Sequence, residues 1–503
     1  MSTNNTMPTN LPYWIPAYYV GGSLSEYNAA MNPAIKDIGI FFPQNASQLS
    51  ALNASSGPTL VPFDAQAQAT VWAGLRTYEG IIDVKFNAVS FGDAPGVINF
   101  LKAATSGTSV GGGLSIKDYL PGSVTISPTY AAPGSNSEGD LLSHELMHAL
   151  GMKHPYEGTY KIHSQDNGGH WTGLTNTTTD PAPMSPEELR ELHKFAPRPL
   201  DIAALQYLYG PSKSVRTGDD TYVLVENNPN FVWDGVGTDT IDGRQLTRGL
   251  TLDLNPGTWG HIGAKADHIT APGQVTVNYG SVIENVNGSN FADTITGNAA
   301  NNVFKGFGGN DRFVLATGND GVDGGTGIDT VVLSGARASY VATAPNGTVR
   351  LASTTDGTKM LSGVERVHFN GGTDGIAYDI QNGIAGDTIK LLGAAGGLAM
   401  IANKEVAGIG IHFRDIGMTR DQVSEAAINA MVGPAGTNAA VVNLLWTNLM
   451  GSAPSAAEAQ PFVDLLNQGT YTRGAMTSAV ADLLDQKVGL TGVASYDFTV
   501  FGG

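Results

Sequence analysis

Between Gly288 and Val332 the chain divides without remainder into five nine-residue units: GSNFADTIT, GNAANNVFK, GFGGNDRFV, LATGNDGVD and GGTGIDTVV. Their sixth positions read Asp293, Asn302, Asp311, Asp320 and Asp329. Their eighth positions read Ile295, Phe304, Phe313, Val322 and Val331. A nine-residue period matches neither the 3.6-residue repeat of a helix nor the unbroken alternation of a long strand. It matches a short strand that buries one side chain and then a glycine-rich turn, repeated. A featureless glycine-rich linker does not account for five apolar residues in phase.

This period, with an acid or amide at position six, resembles the repeats-in-toxin nonapeptide. The resemblance implies an all-β, calcium-binding parallel β-roll in which two units make one coil. Sixth positions two units apart then share a site: Asp293 with Asp311, Asp311 with Asp329, and Asn302 with Asp320. Glycine-rich turns aim carbonyls at the same place, and calcium takes such oxygen ligands.

Composition agrees with a turn-rich, cation-binding chain. There are 65 glycines among 503 residues, and the formal net charge is −18. That charge argues against a nucleic-acid partner. The length calls for two to four domains. Cysteine is absent, so no disulfide framework is expected.

A second motif lies upstream. Residues 144–154 read H-E-L-M-H-A-L-G-M-K-H. His144 and His148, four apart, share one face of a helix. Gly151 can end that helix in a left-handed turn, which lets His154 return as a third ligand. Three neutral imidazoles leave one coordination position open, as in a catalytic zinc site. Glu145 follows the first histidine, placed to act on a water in that position.

The eleven residues resemble the metzincin metalloproteases, and the segments beyond narrow the resemblance to serralysins, which carry a repeat domain behind the protease. Met184, in D-P-A-P-M-S-P, stands for the family's structural methionine turn. Leu200–Gly210 looks like the helix that closes the catalytic domain. The loops R-T-G-D-D-T-Y and D-G-V-G-T-D-T-I-D look like junction calcium sites, with Asp219, Asp220, Asp234, Asp239 and Asp242 as ligands. One departure stands out: Pro186 occupies the place of a family tyrosine that supports the oxyanion. The resemblance runs from about Phe63 to Asp379.

The rest of the chain reads as follows. The first thirty or so residues show no period and suggest a pro-segment or an extended arm. Strands are expected over Ile38–Phe42, Asp83–Val89 (Val84, Phe86 and Ala88 or Val89 inward), Gly96–Lys102 and Val124–Ser127. Gly96–Lys102 is either the family's cleft strand or an ordinary edge strand. Asp64 caps a helix with Val71, Trp72, Leu75 and Tyr78 on one side. Ser137–Asp140 reads as a capping box before the histidine helix. His163, His170 and His193 read as exposed loop histidines, and Glu187, Glu188 and Glu191 as a solvated helix start. After Val331 the repeat is expected to decay into strands through Phe369. Arg420–Met431, Asn438–Met450, Ala456–Leu466 and Arg473–Gln486 have helical spacing.

These readings give a multidomain chain. An α+β metzincin protease domain spans 1–212, a calcium-binding β-roll 213–378, and an α-helical module 379–503. The function implied is a secreted zinc endopeptidase in which Glu145 is general base toward a zinc-bound water. A calcium-dependent surface-layer or adhesion protein with a residual protease domain is the alternative. The expected cofactors are Zn²⁺ and Ca²⁺. The expected partners are a protein or peptide substrate and a type I secretion exporter, and the last module is either a cell-surface contact module or an export spacer. No N-terminal signal peptide or transmembrane segment is read, and Asp497–Phe501 resembles an uncleaved export tail of Gram-negative bacteria.

Overall fold

The computed structural model describes residues 12–19, 36–52, 60–90, 96–103, 122–126, 138–158, 161–168, 172–174, 196–343, 348–381, 383–433, 435–484, 490 and 494–501. The chain forms two compact units, Met1–Leu246 with Thr251–Asn285, and Thr247–Leu250 with Val286–Gly503.

Up to Tyr209 the elements of the first unit among the described residues run α1 (Trp14–Tyr19), β1 (Asp37–Phe41), α2 (Ala46–Leu52), β2 (Leu60–Val61), α3 (Ala65–Glu79), β3 (Lys85–Ala88), β4 (Val97–Ala103), β5 (Gly122–Ile126), α4 (Glu138–Ala149) and α5 (Pro199–Tyr209). β1 pairs in parallel with β3 and β4, β4 pairs in parallel with β5, and β2 joins β4 antiparallel. Ile98 and Asn99 are paired on both sides, to Ile40 and Phe41 and to Gly122 and Ser123. β4 is therefore interior at these positions, which corrects the edge-strand alternative. On β3 only Phe86 is fully buried, while Ala88 and Val89 are exposed. The strand is too short for its later residues to reach the core.

α3 begins where expected: the Asp64 carboxylate accepts from the Ala67 N–H at 2.8 Å. Val71, Leu75 and Tyr78 are buried, and Trp72 packs against the same core. The region expected to be an irregular arm contains α1, whose six residues are all buried. Five of them are aromatic or aliphatic and belong to the buried core, so the aromatic content outweighs the lack of period. The capping-box serine, Ser137, lies outside the described residues.

In the second unit, Thr294–Thr296 pairs in parallel with Arg312–Leu315, which pairs with Thr330–Leu333. Val303–Lys305 pairs in parallel with Asp320–Asp323. Ile295, Phe304, Phe313, Val322 and Val331 are all buried, so the eighth-position column is the roll's interior. The roll does not stop at Val331. Gly357–Ser362 and Arg366–Phe369 continue the two parallel ladders, on Asp320–Asp323 and Thr330–Leu333. The insertion between Leu333 and Gly357, with Val341–Thr343 and Val349–Ser353 in an antiparallel arm, hides the period in sequence.

Among the described residues six helices follow: Ile384–Ala402, Lys404–Asp415, Arg420–Val432, Asn438–Met450, Ala456–Asn467 and Arg473–Ala481. The first two lie outside the four segments read as helical from sequence. In the fold a Cβ on Gly408 would lie 1.8 Å from the Thr499 carbonyl, so glycine permits the close approach there. Ile384–Ala402 is long and apolar enough to cross a membrane by length and composition alone. It breaks at Gly397 (φ 67°), and Ile389, Leu391, Leu392 and Ala395 pack in the helical core. Tyr496–Thr499, inside the tail region, is a strand paired antiparallel with Asp374–Ala377.

Candidate metal centres

α4 is amphipathic with a purpose on each face. Leu142, Leu146 and Leu150 recur every fourth residue and are buried. His144 and His148 recur at the same interval on another face. At the end of the helix Gly151 adopts φ 102°, and the Met152 N–H bonds the Met147 carbonyl. This reversal returns His154 to the other two imidazoles.

The three Nε2 atoms lie 3.1–3.2 Å from one another. Four ligands at ~2.05 Å around a tetrahedral zinc are about 3.3 Å apart, so the spacing fits that ion. The proton inventory also fits. His144 Nδ1 donates to the Gly173 carbonyl at 2.8 Å, and His148 Nδ1 to the Met152 carbonyl at 2.8 Å. His154 Nδ1 faces the Glu157 carboxylate at 3.1 Å. Carbonyls and carboxylates only accept, so each Nδ1 carries the proton and each Nε2 presents a lone pair. Three converging lone pairs repel unless a cation lies between them. Burial pushes His148 down to about 4, and burial also lowers His154. Both are thus neutral and ready to ligate near neutral pH. Tyr156 stacks on the His154 ring, centroids 5.1 Å apart and planes 17° from parallel.

Glu145 is buried, and its Oε2 has no hydrogen-bond donor. Burial raises its proton affinity, with the neighbouring His144 opposing.

The support behind His144 was not visible in sequence. Gly173 holds His144 through its carbonyl, and its own N–H donates to Asp201 Oδ2 at 2.7 Å. Thr172 Oγ1 donates to Asp201 Oδ1 at 2.6 Å, and the Arg198 N–H to Asp201 Oδ2 at 3.0 Å. Asp201 is fully buried in the first turn of α5. The sequence hint is an acid inside a largely apolar helix. Asp201→Ala is expected to weaken zinc binding about 10–100-fold by loosening Gly173. Competition against a chromophoric chelator measures this, and unchanged affinity in folded protein refutes the relay.

Met184, Pro186, His170, His193, Tyr160, Glu187, Glu188 and Glu191 lie outside the described residues. His163 stacks on His268 at 5.1 Å and is not one of the three converging imidazoles.

Of the five junction aspartates expected as calcium ligands, the structure brings three together. Carboxylate oxygens of Asp220, Asp234 and Asp239 lie within 4.8 Å of one another. Asp234 Oδ1 and Asp239 Oδ2 are buried without donors. Burial raises Asp239 to about 6, with the neighbouring Asp234 adding to the effect. Asp242 is instead held by Arg244, two residues on, in a bidentate pair at 2.9 and 2.6 Å. Asp219 accepts from the Thr238 N–H at 2.9 Å. Glu284 joins the set from outside the motif by accepting from the Asp239 N–H at 2.8 Å.

In the roll the Asp293 N–H donates to Asp311 Oδ1, and the Asp311 N–H to Asp329 Oδ1, each at 2.8 Å. The other oxygens of Asp311 and Asp329 are buried without donors. A Cβ on Gly288, Gly306 or Gly324 would lie 2.0–2.6 Å from Oδ2 of Asp293, Asp311 or Asp329. In these three units glycine at position one leaves room beside the acid, whereas the fourth unit carries Leu315 there. Orphaned, buried carboxylate oxygens beside such clefts fit calcium. Glu365 extends the column by accepting from the Asp329 N–H at 2.8 Å. Asn302 donates its N–H to Asp320 Oδ1 at 2.9 Å and accepts from the Asn298 N–H. Asp320 departs from the expected calcium set, because Lys359 Nζ engages its Oδ2 at 2.6 Å. Glu284 and Glu365 were legible in principle, since each precedes a buried valine by two, as position six precedes position eight.

Comparison with known proteins agrees with both halves. A family model described as the RTX calcium-binding nonapeptide repeat (4 copies) matches residues 287–322. The chain is 27% identical over 276 residues to metallopeptidase AprA of Pseudomonas marginalis, covering 48% of this chain and 56% of that one. It is 32% identical over 197 residues to metalloprotease AprA of Pseudomonas entomophila, covering 34% and 39%. Serralysin G of Dickeya chrysanthemi is 30% identical over 192 residues, covering 34% and 38%. The matched stretches span about half of these relatives or less. The chain is thus a relative of the serralysin-type metalloproteases that carries repeats-in-toxin calcium-binding repeats.

Proposed function

We propose that this chain is a secreted zinc-dependent endopeptidase of serralysin type. Its working parts are a metzincin protease segment over 1–212, a calcium-loaded β-roll over 213–378 and a helical module over 379–503. The observation that carries the reading is the convergence of His144, His148 and His154 Nε2, with every Nδ1 already engaged.

When zinc is bound there, it lowers the pKa of a water and polarises the scissile carbonyl. Glu145 Oε2 takes the proton lost by the water as its oxygen bonds to the carbonyl carbon. Glu145 then passes that proton to the leaving amine nitrogen as the C–N bond breaks. Its burial helps, because a carboxylate without a donor holds a transferred proton better than a solvated one. The hydrogen bonds on each Nδ1 keep the imidazoles in one tautomer and one orientation throughout.

Asp293, Asp311 and Asp329 would hold calcium in the roll, and Asp220, Asp234 and Asp239 at the junction, each with nearby carbonyls. Acid columns that fold only with calcium suit passage through a type I exporter unfolded, followed by folding outside. Contact with a cell surface is assigned to the helical module.

Purified protein is expected to hydrolyse casein, to lose that activity to a zinc chelator, and to regain it with added zinc. Folded, zinc-loaded protein that leaves casein and a mixed peptide library intact contradicts the proposal.

A further inference from the structure

Of the two ladders of the roll, one has a column of four carboxylates: Asp293, Asp311, Asp329 and Glu365. The other reads Asn302, Asp320 and Lys359. Lys359 is the register partner of Asp320, so it occupies the sixth position of the next coil. Leu361, two residues later, is buried as an eighth-position residue should be. A lysine thus stands where the pattern calls for an acid.

Its side chain is fully buried, which is rare for lysine. Nζ lies 2.6 Å from the Ala316 carbonyl, 2.9 Å from the Gly318 carbonyl and 2.6 Å from Asp320 Oδ2. Three oxygens match the three donors of an ammonium. Two turn carbonyls and one carboxylate are also what a hard cation such as calcium collects. Across the roll, the corresponding oxygens of Asp311 and Asp329 are buried without donors.

We propose that Lys359 is a tethered substitute for a calcium ion. Its ammonium fills the cation position between the 316–320 turn and the following coil, so this position takes no calcium. The Asn302–Asp320–Lys359 column is formally neutral and holds together at any calcium concentration, while the opposite column depends on the ion. One side of the roll is therefore built to persist when calcium is scarce. This inference rests on the reading of Asp311 and Asp329 as calcium ligands.

The test uses the full chain and calcium chloride, with bound calcium counted by equilibrium dialysis and stability followed by thermal melting. Lys359→Ala removes the ammonium and leaves room. It is expected to bind one more calcium per chain than the parent, to melt lower without calcium, and to recover in millimolar calcium. Lys359→Met fills the space without a charge, so it is expected to melt lower at every calcium level and to gain no ion. An unchanged count in Lys359→Ala, with no recovery by calcium, overturns the proposal. If that variant does not fold, Asp320→Asn decides. An unchanged calcium count in Asp320→Asn supports the tethered ammonium, and loss of one ion overturns it. A parent chain that binds no calcium at all overturns the underlying column reading as well, which separates the two failures.

Discussion

Glu145→Ala is expected to lower turnover at least ~10²-fold while leaving zinc bound. The metal should stay because the substitution touches none of the three imidazoles or their Nδ1 partners, Gly173, Met152 and Glu157. What is lost is the buried oxygen that lacks a donor and can accept the water's proton. His154→Ala should behave differently. Two imidazoles of one helix cannot hold the ion as three do, so metal and activity should fall together. Steady-state peptide hydrolysis beside metal analysis of the same preparations separates the two outcomes. Near-normal turnover in folded, zinc-loaded Glu145→Ala removes Glu145 from the mechanism.

The second large effect concerns calcium and its dependence on pH. Burial pushes Asp311 up to about 7, with the carboxylates of Asp293 and Asp329 adding and the Asp293 N–H opposing. Burial likewise pushes Asp329 up to about 6. An unfolded aspartate titrates near 3.9, so between roughly pH 4 and 7 the metal-free roll holds more protons than the unfolded chain. These groups therefore contribute stability that is fully present below about pH 4 and lost as pH rises through about 7. Calcium replaces those protons, so its stabilising increment should grow from about pH 5 to about pH 8. At the higher pH, removal of calcium should unfold the Gly288–Val332 region, and millimolar calcium should restore it. Circular dichroism melts of metal-stripped protein, with and without calcium at both pH values, make the comparison. An increment that is equal at both, or a strand signal indifferent to calcium, contradicts this account of the aspartate column.

The parts of the molecule legible in sequence are those in which a local period carries the information. His144, His148 and Gly151 lie within one helix and its cap, so spacing alone brings the first two together and reverses the chain. The roll was legible because each nine-residue unit repeats the same strand, turn and acid. What escaped depends on contacts between distant segments. Asp201 supports His144 through Gly173, and no local pattern links residues that far apart. Lys359 and Glu365 fall after an insertion that breaks the phase, although their apolar partners Leu361 and Val367 are in place. The Lys404–Asp415 helix was hidden because its glycines serve close packing, Gly408 against the Thr499 carbonyl and Gly410 against Thr388 and Leu392, which no local pattern announces. Asp242 was misread because a neighbour outside the motif, Arg244, takes its carboxylate.

The central claim, that three histidines converge on one zinc, is tested most directly by zinc X-ray absorption on the purified chain. Because the chain has no cysteine, the account predicts no sulfur at about 2.3 Å and a shell of about four nitrogen and oxygen atoms near 2.0–2.1 Å. The pattern should show three imidazoles, one zinc should be present per chain, and both features should be lost in His154→Ala. Folded protein that carries no zinc, or an imidazole count that His154→Ala leaves unchanged, would contradict it.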